Sequence, residues 1–241
     1  MLIFSLTNIR EMKIKESAVQ TRGSLQQGIY CVINPFVRLL IKMKITPNIV
    51  TTIGLLGNLA AAAIIIWAGY DASISGTIDW SLLTWGGALI IGFSLFDMLD
   101  GQVARLGNMA STFGAMYDSV LDRYCELATL GAISYYLIQT DHIIGALVTF
   151  LALVGSIMVS YVRARAEGLG IECKIGFLQR PERVVITSIA TLATGITGQC
   201  GAEFDPAMIL MVAMGFIAVF ANITAFARVN YSKRILKASN K

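Results

Sequence analysis

The feature that most constrains this chain is a series of apolar runs, each close to the length of a membrane span. A helix needs about 20 predominantly apolar residues to cross the hydrocarbon core of a bilayer. Six such runs follow one another between residues 46 and 228. Only helices or closed barrels satisfy every backbone polar group in lipid, and these runs lack the alternation of barrel strands. The sequence therefore predicts an all-α integral membrane protein: a six-transmembrane-helix bundle preceded by an amphipathic juxtamembrane helix.

The predicted spans cover most of the chain. Composition agrees with them, because 56% of the residues are hydrophobic and only 14% are charged. Pro47 is compatible with the start of the first span, since the first helical turn needs no amide hydrogen there. Glu182 and Arg183 are expected in the first turn of the fifth. The spans are predicted at residues 46–69, 82–105, 112–138, 143–167, 184–197 and 207–228.

The segments outside the spans differ in polarity. Residues 1–23 are predicted to be a polar N-terminal tail, and residues 233–241 a basic C-terminal tail. Apolar residues recur at helical spacing within 24–44, with Arg38 and Lys42 between them, as in a helix lying on the membrane surface. An ordinary packing helix would have the same pattern. Without internal repeats or linkers, residues 45–232 are expected to form one domain.

The basic residues predict the orientation in the membrane. All 19 Lys and Arg lie in one of three places: the N-terminal stretch, the C-terminal end, or in or beside the connections between spans two and three and between spans four and five. The other connections carry acidic residues and the only His, at position 142. Short cytoplasmic loops of membrane proteins carry an excess of Lys and Arg. We therefore expect a multi-pass protein of the cell (inner) membrane, with both termini and the acidic motif on the cytoplasmic side.

The four cysteines are not arranged as a metal site or a disulfide framework. They have no CxxC spacing, and three of them lie in or near predicted spans or the reducing cytoplasmic side. We expect buried thiols at Cys31, Cys125, Cys173 and Cys200.

Four carboxylates stand out because they lie within or beside apolar segments. Asp97 and Asp100 are one turn apart on the second predicted helix, and Asp118 and Asp122 are one turn apart on the third. The short turn between these helices makes them antiparallel neighbours, so the two acidic strips can face each other. Ionised groups at membrane depth are costly, and they usually mark function.

The chemistry of such a site follows from its donors. Carboxylate oxygens are hard ligands that suit Mg²⁺ or Mn²⁺ rather than a soft metal. A pair of these ions could hold a diphosphate while a phosphoanhydride bond breaks. Small residues at 101, 104 and 114 would let a ring or a phosphate approach the helix backbone. The alternatives are an ion or proton relay, or a structural cluster neutralised by Arg105 and Arg123.

The segment 97–122 resembles a known signature. It fits D-x2-D-G-x2-A-R-x8-G-x3-D-x3-D without departure, and this motif is typical of the CDP-alcohol phosphotransferases. The resemblance implies a six-helix membrane enzyme, usually a homodimer, that transfers a phosphoryl unit from a CDP-linked lipid or alcohol to a hydroxyl and releases CMP. No nucleic-acid partner is expected.

The resemblance also implies roles for the motif residues. It implies that two divalent ions, Mg²⁺ or else Mn²⁺, are bound by Asp97, Asp100 and Asp118. Asp122 can also reach a metal and is the implied catalytic base. The implied nucleotide-binding residues of the motif are Gly101, Ala104, Arg105 and Gly114.

The start of the first helix is also similar to the family. Asn48 and Thr51 are candidates for binding the diphosphate at the helix N-terminus. Thr46 or Asn48 could instead be an ordinary helix cap. The sequence does not separate these two interpretations.

A second cluster, of basic residues, suggests the acceptor. Arg163, Arg165, Lys174, Arg180 and Arg183 lie within 21 residues, and Arg side chains suit bidentate phosphate recognition. The generic cytoplasmic excess of Arg is the simpler explanation.

The surrounding sequence favours a phosphate pocket. The pattern S-Y-x-[KR]-A-R-A-E followed by G-F-x-x-R-P-E-R is similar to the subgroup that uses inositol phosphate. By position, this resemblance implies that Arg163, Arg183 and Arg228 hold the acceptor phosphate; Arg163 replaces a Lys familiar in that subgroup. The implied reaction transfers the phosphatidyl group of CDP-diacylglycerol to 1D-myo-inositol 3-phosphate.

Two kinds of rival remain open. The acceptor could be glycerol 3-phosphate, free inositol or serine with the same chemistry. A different class is an ion or proton transporter that uses the Asp cluster, although the broken symmetric halves common in transporters are not evident in the sequence.

Overall fold

The computed structural model describes residues 33–239, and within them the chain forms helices joined by loops. A helical stretch at 33–42 precedes seven longer helices. Residues 1–32 and 240–241 lie outside the described part, and so do the predicted tail 1–23, the first part of the amphipathic helix and Cys31. The seven helices are α1 (Pro47–Ser75), α2 (Trp80–Ser94), α3 (Phe96–Leu106), α4 (Thr112–Gln139), α5 (Ile143–Glu167), α6 (Arg180–Gln199) and α7 (Ala207–Ser239).

Several of these helices are long and apolar enough to cross a bilayer. Four candidate spans meet that condition within the described residues: Pro47–Ser75, Trp80–Leu106, Ile143–Glu167 and Ala207–Ala238. The all-α membrane class is thereby confirmed. Helix α4 has the length of a span but carries Asp118, Asp122, Arg123 and Glu126, so its composition is less apolar.

The helix boundaries refine the sequence prediction. The second predicted span is interrupted at Leu95, which separates α2 from α3. Helix α1 continues past residue 69 to Ser75, and α7 continues past Arg228 to Ser239. Helix α6 begins at Arg180, which confirms that Glu182 and Arg183 belong to its first turn.

The helices pack in pairs that bring distant parts of the sequence together. Helix α1 packs on α4, α2 on α6, and α5 on α7. Gly87 and Gly195 permit the closest approach of α2 and α6, because a side chain at either position would overlap the backbone of Leu192 or Thr84. Close backbone approach through small residues is the usual way in which membrane helices associate.

The 33–42 stretch packs against the beginning of the bundle. Val37 is fully buried with Val50 of α1 and Val103 of α3. Phe36 and Leu39 of the same stretch are about half exposed, at 46% and 51%. One side of this stretch therefore packs on protein, while apolar side chains on other sides remain uncovered.

The two ends of the bundle are built differently. At one end, Asn108 takes a left-handed conformation (φ 51°), which an Asn tolerates, and closes the short turn between α3 and α4. At the other end, His142 Nε2 lies 2.6 Å from Asp205 Oδ2 and joins two of the acidic connections.

The predicted burial of the thiols is confirmed only in part. Cys125 and Cys173 are buried, as expected, but Cys200 is exposed, so the prediction is wrong there. Cys200 follows the last residue of α6, in the loop that leads to Asp205.

Candidate active site

The four motif carboxylates lie on two consecutive helices. Asp97 and Asp100 project from α3, and Asp118 and Asp122 project from α4. Ser111 caps α4 by accepting a hydrogen bond from the backbone of Gly114 at 3.0 Å, which fixes where α4 begins after the turn. The turn and the cap together set the register in which the acidic strips meet.

A cavity of about 240 Å³ opens between the first turns of α1 and the paired helices α3 and α4. It is lined by a carboxylate from each acidic strip, Asp100 and Asp118, and we call it the acidic cavity. It also gathers all six residues predicted to bind the nucleotide. These are Asn48, Thr51, Gly101, Ala104, Arg105 and Gly114.

Small side chains keep this cavity open. A Cβ added at Gly114 would lie 3.0 Å from Ser111 Oγ and 3.3 Å from Asn48 Oδ1. Thr46 occupies the cap position of α1, but its side chain makes no capping hydrogen bond. The side chain of Asn48 instead borders the cavity, so the capping explanation is not realised at Thr46.

Asp100 is held in place by α1. The hydroxyl of Thr51 donates a hydrogen bond of 2.7 Å to Asp100 Oδ2, and both side chains are buried. A hydrogen bond to an ionised acceptor is stronger than a neutral one. This contact therefore orients one carboxylate at the wall of the cavity.

The other two carboxylates meet an arginine that comes from α6. Arg180 Nη1 lies 2.8 Å from Asp97 Oδ2, and Arg180 Nη2 lies 2.7 Å from Asp122 Oδ1. One guanidinium thus bridges the two acidic strips. Arg123 is farther away, with its Nη1 3.8 Å from Asp122 Oδ2.

This arrangement bears on metal binding. Across residues 33–239, no three His, Cys, Asp or Glu side chains are gathered as a finished metal site. Arg180 holds Asp97 and Asp122, and Thr51 holds Asp100. The available donors are nevertheless all carboxylate oxygens from two adjacent helices, which is the ligand set that hard divalent cations prefer. The residues present fit such an ion, provided that Arg180 gives up its contacts.

A second pocket, of about 100 Å³, adjoins this cluster on the side of α5, α6 and α7. We call it the arginine pocket. Its lining includes five arginines, among them the three predicted to hold an acceptor phosphate. The five are Arg123, Arg163, Arg180, Arg183 and Arg228.

The three predicted arginines are held differently. Arg183 is buried and forms a double contact with Glu126, at 2.7 Å and 3.1 Å. Arg228 is buried and donates to the backbone carbonyls of Ile175 and Val159, both at 2.7 Å. The side chain of Arg163 is 40% exposed and pairs with Glu167 at 2.8 Å. Arg163 is therefore the most accessible of the three.

Two residues of the site were not assigned a role from the sequence. Arg180 was noted only as one basic residue among five, because its bridge to Asp97 and Asp122 depends on the packing of α6. Glu126 was not singled out, although it lies one turn beyond Asp122 in an apolar helix. A charged residue at that spacing is the signal that could have identified it.

Comparison with known proteins identifies the family. Residues 44–224 match the family model described as CDP-alcohol phosphatidyltransferase. The chain is 33% identical over 167 residues to the phosphatidylinositol phosphate synthase of Corynebacterium glutamicum. That alignment covers 68% of this chain and 71% of the relative. It is 38% identical over 149 residues to the archaetidylinositol phosphate synthase of Methanothermobacter thermautotrophicus, with 61% and 72% covered.

Solved structures agree with these matches. The phosphatidylinositol phosphate synthase of Mycobacterium tuberculosis, with CDP-DAG bound, superposes with a TM-score of 0.69 at 29% identity. That alignment covers 82% of this chain and 92% of the other. The same protein in complex with manganese and citrate gives a TM-score of 0.68. The resemblance found in the sequence motif is confirmed: this chain belongs to the CDP-alcohol phosphatidyltransferase family.

Proposed function

We propose that this protein transfers the phosphatidyl group of CDP-diacylglycerol to 1D-myo-inositol 3-phosphate, yielding phosphatidylinositol phosphate and CMP. One observation carries the proposal: Arg180 lines the arginine pocket and also pairs with Asp97 and Asp122, which lie one helical turn from the two carboxylates of the acidic cavity. A donor diphosphate and a phosphorylated acceptor could therefore be bound side by side. The names of the relatives support the same reaction.

The donor would occupy the cavity between α1, α3 and α4. Gly101, Ala104 and Gly114 leave room for the cytidine, and Arg105 lies at the same wall. Asn48 and Thr51, in the first turns of α1, would face the diphosphate, where a helix N-terminus favours negative charge. The lipid chains would extend between the helices into the membrane.

Asp97, Asp100, Asp118 and Asp122 would hold divalent cations, two per site, with Mg²⁺ as the natural ion and Mn²⁺ as a substitute. When bound, such ions polarise the diphosphate and offset the charge that develops on the departing phosphate. Arg180 would release Asp97 and Asp122 as the ions bind. The manganese complex of the relative from M. tuberculosis supports the use of a divalent metal.

Asp122 would act as the general base. It would take the proton of an inositol hydroxyl, whose oxygen then forms a bond to the lipid-side phosphorus of the donor. The bond from that phosphorus to the bridging oxygen breaks, and CMP leaves with the oxygen. A positioned base contributes about 10²- to 10⁴-fold to such a step.

The arginine pocket would bind the phosphate of the acceptor. Arg163 would make the most direct contact, because it is partly exposed. Arg183 and Arg228 would contribute fixed positive charge, since Glu126 and backbone carbonyls already hold their guanidinium groups in place. The phosphate is what separates this acceptor from free inositol or serine.

A panel of acceptors tests the proposal directly. Purified protein is incubated with CDP-diacylglycerol, Mg²⁺ and one acceptor at a time, and CMP release is measured. We expect turnover with inositol 3-phosphate and little with inositol or serine. Turnover with glycerol 3-phosphate or serine, and none with inositol phosphate, would overturn the acceptor assignment. An archaeal ether-lipid donor belongs in the same panel, because one relative is an archaetidylinositol phosphate synthase.

We also infer the arrangement in the membrane. Six crossings would be made by α1, by α2 with α3, and by α4, α5, α6 and α7, with residues 24–44 forming an interfacial helix. Helix α6, at 20 residues, is about 30 Å long, enough for the hydrocarbon core. Residues 45–232 would form the catalytic domain, and 1–23 and 233–241 its tails. Both termini and the active site would face the cytoplasm of the cell (inner) membrane, and the protein would be a homodimer, as the family resemblance implies.

The exposed Cys200 offers a test of this orientation. In intact cells, a membrane-impermeant maleimide should label the protein at Cys200, and the C200S variant should lose that label. Labelling that requires the membrane to be opened first would reverse the proposed orientation.

A further inference from the structure

A large groove lies between the C-terminal ends of α5 and α7, outside the acidic cavity and the arginine pocket. Its volume is about 500 Å³. We call it the α5–α7 groove. Its lining comes from facing stripes of the two helices, with members spaced three or four residues apart. They are Met158, Tyr161, Val162, Arg165, Ala166 and Leu169 of α5 and the following turn, and Val229, Ser232, Lys233, Leu236 and Lys237 of α7.

The charged residues of this groove are all of one sign. Arg165, Lys233 and Lys237 are exposed, and no carboxylate is among the lining residues. Two other basic residues nearby are engaged with protein groups: Arg163 with Glu167, and Arg228 with two backbone carbonyls. The groove thus presents three cations toward its open side.

Met158 and Val162 of α5 and Val229 of α7 lie deeper along the helices than the three cations, whereas Leu169 and Leu236 lie at the basic end. Met158 precedes Arg165 by seven residues, and Val229 precedes Lys233 by four, which correspond to about 10 Å and 6 Å along an α-helix. The apolar end of the groove is therefore nearer the middle of the membrane spans. A site with cations at one end and apolar side chains at the other matches the two parts of an anionic phospholipid.

We propose that the α5–α7 groove binds one anionic phospholipid, with its phosphate at Arg165, Lys233 and Lys237 and its acyl chains along Met158 and Val229. The basic end of the bundle is also where the proposed topology puts the cytoplasmic leaflet, so the inference rests in that respect on the proposed function. None of the lining residues belongs to the acidic cavity or the arginine pocket.

Charge argues for a lipid over the other occupants. A second copy of this chain would bring its own three cations to the groove. The first 32 residues of the chain contain four Lys or Arg and two Asp or Glu, so they are basic as well. An anionic headgroup complements the groove, whereas both of these occupants oppose its charge.

Native mass spectrometry of the detergent-solubilised protein tests this proposal. The protein is titrated with phosphatidylglycerol or phosphatidylcholine, without metal or CDP-lipid, so the outcome is independent of the transferase activity. We expect one tightly held phosphatidylglycerol and weaker phosphatidylcholine binding. The double variant K233Q/K237Q should bind phosphatidylglycerol about 25-fold more weakly, since each basic residue near an anionic lipid contributes about fivefold.

Arg234 provides the matched control. It lies on the same turn of α7 and is exposed, but it does not line the groove. R234Q should therefore retain the affinity for phosphatidylglycerol. Equal binding of the two lipids by the natural sequence, or unchanged binding by K233Q/K237Q, would overturn the proposal. The proposal would also be overturned if K233Q/K237Q no longer bound a second copy of the chain but still bound phosphatidylglycerol as before.

Discussion

The acidic cavity and the arginine pocket lie side by side, yet their charged groups are held in different ways. Asp100 and Asp118 line the acidic cavity, and the hydroxyl of Thr51 donates a hydrogen bond to Asp100. Arg183 instead donates hydrogen bonds to Glu126, and Arg228 donates to backbone carbonyls. The acidic side therefore has carboxylates at an open cavity, whereas on the basic side Arg183 and Arg228 are already held by protein groups and Arg163 is the most exposed of the three predicted arginines.

Arg180 joins the two regions. It contributes to the arginine pocket and at the same time bridges Asp97 and Asp122. In the absence of other cations, one side chain therefore offsets the repulsion between the acidic strips of α3 and α4. The acidic cavity is open, the guanidinium groups of the arginine pocket are largely hydrogen-bonded to protein, and Arg180 links the two sets of residues. This contrast leads to four predictions, given in decreasing order of effect.

The largest effect on stability should follow from breaking the buried ion pair between Glu126 and Arg183. E126L leaves the guanidinium of Arg183 buried and without its carboxylate partner, which costs about 3–5 kcal/mol. We expect a clear fall in the thermal unfolding temperature in detergent. The double variant E126L/R183M should recover most of the loss, because an apolar pair of similar volume avoids the desolvated charge. An unchanged unfolding temperature for E126L would mean that the pair does not hold Arg183.

The accessible arginine of the same pocket should affect binding rather than stability. R163Q would remove the proposed charge-assisted contact to the acceptor phosphate, worth about 1.5–3 kcal/mol, so we expect KM for inositol phosphate to rise roughly 10- to 150-fold. Thermal stability should change little, since Arg163 is partly exposed. K174Q is a suitable control, because Lys174 is exposed and paired with Glu172. A KM that stays constant would remove Arg163 from the acceptor site.

The bridging arginine should oppose metal binding. R180Q frees Asp97 and Asp122 from a competing cation, so the affinity for Mn²⁺ should rise on the order of tenfold, the equivalent of one charged hydrogen bond. Isothermal titration of the solubilised protein with Mn²⁺ measures this without any turnover. A lower affinity in R180Q would indicate that Arg180 helps to organise the metal site instead of occupying its place.

The smallest effect should come from narrowing the open cavity. G114A introduces a Cβ close to Ser111 Oγ and Asn48 Oδ1, and the overpacking should cost about 1 kcal/mol, or roughly fivefold in KM for the CDP-lipid. G131A is the control on the same helix, because nothing lies within 4 Å of the added atom. Equal kinetics for the two variants would show that Gly114 is not required for donor access.

Local sequence was sufficient for the site on α3 and α4. The steps of three and four residues between Asp97, Asp100 and Gly101, and again between Asp118 and Asp122, are fixed by helix geometry, and the short turn leaves only an antiparallel arrangement. The six residues expected around the nucleotide therefore do line one cavity. Their roles remain predictions, since their gathering in one place does not measure what they bind.

The contacts that were missed depend on tertiary packing. Nothing near Arg180 in the sequence indicates that α6 would bring it to Asp97, and the pairing of Glu126 with Arg183 joins residues 57 positions apart. The interruption at Leu95 was also missed, because hydropathy does not change there. The ring of Phe93 occupies the space above Gly57 of α1 beside that break, a contact that no local pattern encodes.

Hydropathy predicted an end at Arg228 for the last span, whereas helix α7 ends at Ser239. The charges after Arg228 suggested the end of the span, but backbone hydrogen bonding continues to Ser239 regardless of side-chain polarity. Arg228 itself is buried because the carbonyls of Ile175 and Val159 accept its hydrogen bonds. The end of an apolar run therefore indicates where the membrane span ends, not where the helix does.

The most direct test of the account is whether both acidic strips are needed for one metal site. Mn²⁺ binding to the solubilised protein can be followed by electron paramagnetic resonance in the presence of CDP-diacylglycerol. We predict that D100N on α3 and D118N on α4 each weaken Mn²⁺ binding at least about a hundredfold, because either change removes a ligand of a shared site. Mn²⁺ binding that is unaffected by either substitution would contradict the claim that the two helices hold the cations jointly.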